Sequence, residues 1–201
     1  VFVSFSGGKD STVLLDLARK IYSDIPAVFV DTGLEYPELR AFVKTKENVN
    51  WLRPKYSFTN IIEKYGYPVI SKEIADCVDG ARKGQVARLK RLNGTLLGPD
   101  GKKSIYSCDK YLYLLNAPFK ISARCCYYMK KAPIYQFEHK IGSYGITGVM
   151  AQESRLRTQN WLRHGCNGFE RKRPISQPLA FWREQDILEY LIRTKIPYAS
   201  I

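Results

Sequence analysis

The 201-residue chain has no run of eighteen or more apolar residues, and this absence excludes a membrane-spanning helix. We also expect no secretory signal peptide, and the five cysteines are an odd number. Together these features predict a cytoplasmic protein whose thiols stay reduced. No internal repeat or low-complexity tract occurs, so we expect a single domain over residues 1–201 that contains at most an insertion.

Acidic residues are scarce relative to basic ones. The chain has 19 Asp and Glu residues against 32 Lys and Arg, which gives a formal net charge of +13. This imbalance predicts an anionic partner, which would be a nucleotide, a nucleic acid or both. A solvated basic surface without a specific partner is the alternative, because net charge bears on association and not on fold.

The most informative segment is a glycine-containing loop between an apolar strand at residues 1–5 and an amphipathic helix that begins near residue 11. Its two glycines allow a sharp turn that presents backbone N–H groups to an anion. The helix N-terminus favours phosphate, the lysine adds a positive charge and the two serines add hydroxyl donors. A plain turn with Ser11 as the helix N-cap is the alternative. The predicted phosphate-binding residues are Ser6, Gly7, Gly8, Lys9, Asp10 and Ser11.

Strand and helix patterns alternate along much of the chain. Apolar runs predict strands at 26–31, 50–55 and 145–151, and amphipathic periodicity predicts helices at 37–48 and 183–194. This order gives right-handed βαβ units. We therefore predict an α/β fold, with a parallel twisted sheet and helices on both faces.

The stretch from 66 to 122 differs in composition. It is rich in Lys, Arg, Gly and Asn, and its basic residues from Arg82 to Arg91 are predicted to lie on one helix. We interpret residues 66–122 as an inserted basic helical segment. The same basic residues are a candidate surface for DNA or tRNA, although the tyrosines nearby are not spaced as a stacking platform.

Polar residues follow the second strand at Asp31, Thr32 and Gly33. Ligands of open parallel sheets lie beyond the carboxyl ends of the strands, so these residues face the crevice of the glycine-containing loop if the two strands are neighbours. The Asp31 carboxylate could hold Mg²⁺. A turn aspartate with a local hydrogen bond is the alternative.

The loop is neither a Walker A motif nor a dinucleotide-binding Gly-x-Gly-x-x-Gly. It resembles the pyrophosphate-binding loop Ser-Gly-Gly-x-Asp-Ser of the ATP pyrophosphatase superfamily, whose members cleave or exchange ATP between the α- and β-phosphates. Later segments resemble the phosphoadenosine phosphosulfate (PAPS) reductase family of that superfamily. These segments are 30–38 (VDTGLEYPE), 124–133 (RCCYYMKKAP), 146–155 (ITGVMAQESR), 173–179 (RPISQPL) and 182–187 (WREQDI).

The resemblance implies an adenine nucleotide alpha hydrolase-like fold and an enzyme of sulfur metabolism. Its ligand would be ATP, adenylyl sulfate or PAPS, with Mg²⁺ if the ligand is ATP. The first interpretation is a sulfonucleotide reductase of the PAPS or adenylyl-sulfate type. The intact loop favours an alternative, ATP-dependent adenylation before sulfur transfer, as in ATP sulfurylase small subunits and DNA-phosphorothioation sulfurtransferases. A further alternative is a nucleic-acid-associated nucleotide-binding component.

The resemblance also implies partners and site residues. The expected partners are an adenine nucleotide and either a thiol electron donor or a sulfur-carrier protein, with no membrane. The implied catalytic residues are Lys9, which would offset charge on the leaving group, Asp31, and Arg155, which would meet the sulfate or α-phosphate. For Arg155 a solvated cationic rim is the alternative. The remaining implied nucleotide contacts are Thr32, Gly33, Gly148, Glu153 and Ser154.

The cysteines leave two interpretations open. Adjacent Cys125 and Cys126 match the cysteine pair of adenylyl-sulfate reductases, which implies half of a 4Fe–4S site that is incomplete in this chain. Cys166 is a candidate third ligand. The alternative is two ordinary buried cysteines, and a zinc site has poor ligand spacing. Cys77 and Cys108 are expected to be structural.

Overall fold

The computed structural model describes residues 1–199, so the last two residues of the predicted 1–201 domain lie outside it. Strands β1–β6 are Phe2–Ser4, Ala27–Val30, Val49–Leu52, Gly145–Thr147, Asn167–Gly168 and Ile175–Ser176. Helices α1–α8 are Lys9–Ile21, Pro37–Lys44, Phe58–Tyr65, Lys72–Arg82, Val86–Leu92, Ala132–Ile141, Arg155–His164 and Glu184–Thr194. Short 3₁₀ segments occupy Asp109–Asn116 and Ala151–Glu153, and a π-helical turn occupies Tyr127–Lys131.

The chain divides into two compact units, and each is described by itself. The first unit is Val1–Arg53 together with the chain from Pro133 onward. The second unit is Pro54–Ala132. The predicted insertion at 66–122 lies inside the second unit, and its status as an insertion stays a prediction.

The first unit is built on one sheet, whose strands within the described chain run in the order β3-β2-β1-β4-β6-β5. Strand β1 pairs in parallel with β2 and with β4, and β5 at the edge is antiparallel to β6. This arrangement confirms the predicted α/β fold. Because the chain builds outward from β1 to β2 and β3 before returning to β4, the strand order reverses beside β1, which is where open α/β sheets bind ligands.

Aromatic contacts show that helices cover both faces of this sheet. Side chains alternate between the faces along a strand. Phe2 packs edge-on against Phe137 of α6, with the ring centroids 5.4 Å apart. Phe5 instead meets Phe42 of α2, at 6.4 Å. Helices α2 and α6 therefore lie on opposite faces, and α1 joins the core on the Phe5 side through its buried Val13.

Three predicted elements extend three or more residues past the ends of the observed ones. The helix predicted at 37–48 ends at Lys44, because the chain turns there and reaches β3 through Asn48 at a positive φ of 48°. The strand predicted at 50–55 ends at Leu52. The strand predicted at 145–151 ends at Thr147, and after it Met150 and Ala151 are buried, with the Ala151 backbone N–H donating to the carbonyl of Ala180.

The second unit has its own core. Helices α4 and α5 pack together and against the 3₁₀ segment Asp109–Asn116. Cys77 and Cys108 are both buried in this core, with their Sγ atoms 3.6 Å apart, in agreement with the structural role expected of them.

The single helix predicted from Arg82 to Arg91 is wrong. The segment breaks between α4 and α5 at Gly84, whose φ is +80°. Arg82 at the break donates to four carbonyl oxygens of the second unit, including that of Leu114 at 2.7 Å. Arg88 pairs with Asp76, and Arg91 pairs with Glu73. These arginines therefore bind the unit together and are not free on one helical face.

Within residues 1–199, none of the helices combines the length and the apolar character that crossing a lipid bilayer requires.

Candidate functional site

The loop at residues 6–11 connects β1 to α1 at the carboxyl end of the sheet. The two serines of the loop contact each other, with their hydroxyl oxygens 3.0 Å apart, and the Ser11 hydroxyl donates to the carbonyl of Gly8 at 2.9 Å. The N-cap of α1 is Gly8, which has no side chain to cap the helix, so the alternative of Ser11 as N-cap is wrong. Because α1 begins at Lys9, the backbone N–H groups of its first turn have no intrahelical partner and remain available to an anion.

Two glycines set the position of this loop. Gly7 has a φ of +82°, and a Cβ there would lie 2.9 Å from Val43 and 3.0 Å from Leu39 of α2. Gly148, which follows β4, packs against the first turn of α1, because a Cβ there would lie 3.3 Å from the carbonyl oxygen of Asp10. The loops after β1 and β4 therefore touch through a glycine, as neighbouring parallel strands allow.

Lys9 is held by two carboxylates. Its Nζ lies 3.2 Å from Glu184 at the start of α8 and 3.4 Å from Asp10 Oδ1. Burial alone would lower the pKa of Lys9, but the two carboxylates outweigh that effect and raise the pKa above its ordinary value. Asp10 Oδ1 is buried and forms no hydrogen bond within the described part of the chain.

Asp31 follows β2, the neighbour of β1, as the sequence analysis required. It is buried, and its Oδ2 accepts from Arg40 of α2 at 2.9 Å and lies 3.8 Å from Arg53 Nε. Its Oδ1 accepts from the backbone of Gly33 at 3.2 Å, which is the local turn interaction offered as an alternative. The Arg53 side chain is 78% exposed, so its guanidinium remains available to a ligand.

Thr32 is fixed by Glu35. The Thr32 hydroxyl donates to Glu35 Oε1 at 2.6 Å, and its backbone N–H donates to Oε2 at 2.9 Å. Both oxygens of the Glu35 carboxylate therefore stabilise the turn after β2.

The segment after β4 carries the other predicted residues. The Glu153 carboxylate accepts from the backbone N–H of Met150 at 2.7 Å and pairs with Arg157. Ser154 caps α7 by accepting from the backbone of Arg157 at 3.3 Å. Arg155 is the first residue of α7; it is exposed, and no residue among 1–199 is paired with it. Glu153 and Ser154 thus shape the turn, and Arg155 is the member free to meet an anion.

In the part of the chain that the structure describes, no three His, Cys, Asp or Glu side chains are grouped to hold a metal ion. The two arginines beside Asp31 already offset its charge, so Asp31 does not fit a Mg²⁺ site built from protein alone. Mg²⁺ that arrives with a nucleotide needs only one or two carboxylates, and Asp10 Oδ1, which accepts no hydrogen bond from the described residues and lies 3.4 Å from Lys9 Nζ, would supply one of them.

The residues present do not fit a complete iron–sulfur cluster. Cys125 and Cys126 are half-buried in the second unit, whereas Cys166 belongs to the first. Burial, reinforced by the neighbouring Cys126, raises the pKa of Cys125, which disfavours the thiolate that binds metal. The half-site at Cys125 and Cys126 stays a prediction.

Sequence analysis missed Glu184, Arg40, Arg53 and Glu35 as parts of this site. Arg40 lies one helical turn after the start of α2. Once the strand order is known, a charged residue at that position indicates a side chain that can reach the site. Glu184 lies within the quoted 182–187 segment, but only the packing of α8 against α1 brings it to Lys9.

A family model matches the chain over most of its length. The family model described as phosphoadenosine phosphosulfate reductase domain matches residues 1–73 and 104–201. The unmatched stretch, 74–103, falls inside the predicted insertion.

Two curated relatives come from Methanocaldococcus jannaschii, and both are uncharacterised proteins. MJ0973 is 44% identical over 69 residues, which is 32% of this chain and 17% of that protein. MJ0066 is 41% identical over 73 residues, which is 34% of this chain and 15% of that protein. The matched segments thus span less than a fifth of either relative. The family match, by contrast, extends over the sheet, the loop after β1 and the segment after β4, and the chain belongs to the phosphoadenosine phosphosulfate reductase family.

Proposed function

We propose that the first unit binds the phosphates of an adenine nucleotide beyond the carboxyl ends of β1 and β4, as an enzyme of sulfur metabolism of the sulfonucleotide reductase type. The observation that carries this proposal is the loop at residues 6–11. It combines a helix N-terminus, an open glycine backbone and Lys9 at one end of the sheet, next to the point where the strand order reverses.

Lys9 is the residue that would meet the phosphates most directly. In the structure its charge is balanced by Glu184 and Asp10, so a phosphate group must take the place of at least one carboxylate. Glu184 is the exchangeable one, because its side chain is 63% exposed. Once transferred to phosphate, the Lys9 ammonium would stabilise negative charge that develops on a leaving group.

The cations on either side of the loop would position the rest of the ligand. Arg155 lies in the first turn of α7, where a cation is unfavourable next to the positive end of the helix dipole unless an anion is bound. We assign it to the sulfate or α-phosphate. Asp31 would act by holding Arg40 and by placing Arg53, and the exposed Arg53 guanidinium could bind the same anionic group.

A second candidate function is ATP-dependent adenylation before sulfur transfer. The intact loop favours it, because Lys9 and the first turn of α1 together suit a departing pyrophosphate. Asp10 Oδ1 is the carboxylate oxygen that would hold Mg²⁺ with the ATP phosphates, where the ion would supply charge neutralisation. In either case the second substrate would be a thiol electron donor or a sulfur-carrier protein.

The proposal is tested by calorimetric titration of the 201-residue chain with ATP plus Mg²⁺, adenylyl sulfate and PAPS. The variants are Lys9→Ala, Glu184→Gln and the control Lys140→Ala, which removes an exposed lysine of α6 outside the site. A charge-assisted contact contributes about 1.5–3 kcal/mol, so Lys9→Ala should weaken binding roughly 10- to 100-fold. Glu184→Gln removes a competitor for Lys9 and should tighten binding about 2- to 5-fold, the scale of an exposed ion pair.

The ligand that binds most tightly separates the two candidates. Tight binding of adenylyl sulfate or PAPS supports the reductase type, and tight binding of ATP together with exchange of labelled pyrophosphate into ATP supports adenylation. If Lys9→Ala binds all three nucleotides as well as the unmodified chain and Lys140→Ala, the loop is not the phosphate site and the proposal is wrong.

A further inference from the structure

The positive charge of the chain is concentrated in the second unit. Residues 54–132 contain 15 of the 32 lysines and arginines but only 6 of the 19 acidic residues, a net +9 out of the total +13. The loop at residues 6–11 belongs to the first unit. Nucleotide binding in the first unit therefore does not account for most of the excess positive charge.

Two adjoining cavities in the second unit are lined by this charge. One has a volume of about 400 Å³ and includes Lys72, Tyr127 and Lys131 in its wall. The other has a volume of about 330 Å³ and includes Lys64, Tyr65 and Lys120. Both share Asp79, Lys83 and Arg124, so they form one continuous depression.

The carboxylates in this depression are already paired. Asp79 binds Lys83 at 2.5 Å, one helical turn away, and Asp76 binds Arg88 at 2.5 Å. By contrast, Lys72 and Lys131 are exposed, and across residues 1–199 neither has an ion-pair or hydrogen-bond partner for its ammonium group. The depression therefore keeps an uncompensated positive charge that an anion can meet without breaking an existing pair.

Aromatic rings are interleaved with these cations. Tyr65 and Tyr128 are stacked, with centroids 4.3 Å apart and an angle of 13° between their planes. Tyr127 stands edge-on to Tyr128 at 5.2 Å and is 47% exposed. The Arg124 guanidinium lies 5.6 Å from the centre of the Tyr65 ring. This cluster was not predicted from the sequence, because Tyr65 and Tyr128 are brought together only by folding.

We propose that this depression in the second unit binds single-stranded nucleic acid. Lys72, Lys131 and the shared Arg124 would contact successive phosphates, because the charge extends over both cavities and suits a chain of phosphates better than one phosphate group. Tyr127 would stack against an unpaired base, since every base has an apolar face that an aromatic ring can cover. Of the basic residues from Arg82 to Arg91 considered from sequence, Arg82 and Lys83 line this depression, but Arg82 is tied to carbonyl oxygens and Lys83 to Asp79.

The test is the fluorescence anisotropy of a labelled 20-nucleotide single strand titrated with the 201-residue chain between 50 and 300 mM NaCl. The test variant is Lys72→Ala/Lys131→Ala. The matched control is Lys90→Ala/Lys102→Ala, which removes two exposed lysines of the same unit from outside both cavities. All four lysines are exposed, so both variants should fold, and circular dichroism melts verify this.

Each phosphate contact to a single strand contributes about −0.7 to the slope of log K against log salt. The test variant should therefore lose about 1.4 from that slope and bind roughly 25-fold more weakly at 0.1 M salt, whereas the control should change by less than about 3-fold. An oligomer of the same length without bases should bind more weakly than the one with bases, by about 5-fold or more.

Two results would overturn the proposal. Equal losses in the test and control variants would mean that binding is a diffuse property of the basic surface. Equal binding of the oligomers with and without bases would mean that the depression binds phosphates alone, and nucleic acid would not be its specific ligand.

Discussion

Replacing Arg173 by alanine should destabilise the first unit, because it leaves the carboxylate of Glu138 buried without its cation. Glu138 on α6 is only 5% exposed. Arg173, in the loop before β6, donates from Nε to Oε2 at 2.8 Å and from Nη2 to Oε1 at 2.6 Å. The one other donor to this carboxylate in the described chain is the backbone N–H of Gly145 at 3.3 Å.

The size of the destabilisation depends on how deeply each partner of the ion pair is buried. Breaking a buried ion pair costs about 3–5 kcal/mol, since the remaining charge stays buried. Arg173 is 39% exposed, so water can partly replace it, and we expect a value near the lower end, about 3 kcal/mol. For a chain of this length that corresponds to a decrease in Tm of roughly 6–12 °C.

The assay is thermal unfolding followed by tryptophan fluorescence. All three tryptophans, Trp51, Trp161 and Trp182, lie in the first unit, so the signal reports on that unit. Lys172→Ala is the control, because it removes an exposed cation from the same loop and should change Tm by less than 2 °C, within the usual range of surface substitutions.

The pH dependence makes this test specific. The hydrogen bonds to Glu138 hold the pKa of Arg173 above its usual range, so the Arg173 guanidinium stays charged in the native protein. In Arg173→Ala the buried carboxylate favours its protonated form, which means that the folded variant binds a proton more readily than the unfolded chain. The variant's deficit should therefore shrink as pH falls from 7 to 4.5. A Tm within 2 °C of the unmodified chain, or a deficit independent of pH, would refute this reasoning.

Two further predictions concern the loop and the second core. Gly7→Ala should weaken nucleotide binding at least about 10-fold without unfolding the sheet, because a residue with a Cβ is strained at a φ of +82° and that Cβ would press on Val43. Calorimetry measures the affinity, and a far-ultraviolet circular dichroism spectrum checks the fold. An unchanged affinity would contradict this prediction. Burial beside Cys108 raises the pKa of Cys77 to about 11, so at pH 8 both core thiols should resist iodoacetamide, whereas the half-buried Cys126 reacts. Mass spectrometry locates the modified cysteines, and early labelling of Cys77 would disprove the burial argument.

Much of the fold was predictable, because the signals are local. The apolar residues of β1 and β2, the glycines of the 6–11 loop and the amphipathic face of α1 each follow from spacing along the chain. The break at Gly84 was not predicted, since the basic residues on either side continue a helical pattern that the turn interrupts. The end of β4 was also missed, because its apolar residues continue past the hydrogen-bonded segment to the buried Met150 and Ala151.

The sequence by itself determined where the proposed phosphate-binding loop lies, since a strand, a glycine turn, a lysine and a helix N-terminus are contiguous in residues 1–21. Tertiary structure alone decided what surrounds that loop. Glu184 reaches Lys9 only because α8 packs on α1, Arg40 and Arg53 reach Asp31 only through the sheet and α2, and Gly148 meets Asp10 only because β4 is the neighbour of β1. Most of these contacts join residues far apart in the chain, and their spacing leaves no periodic signal in the sequence.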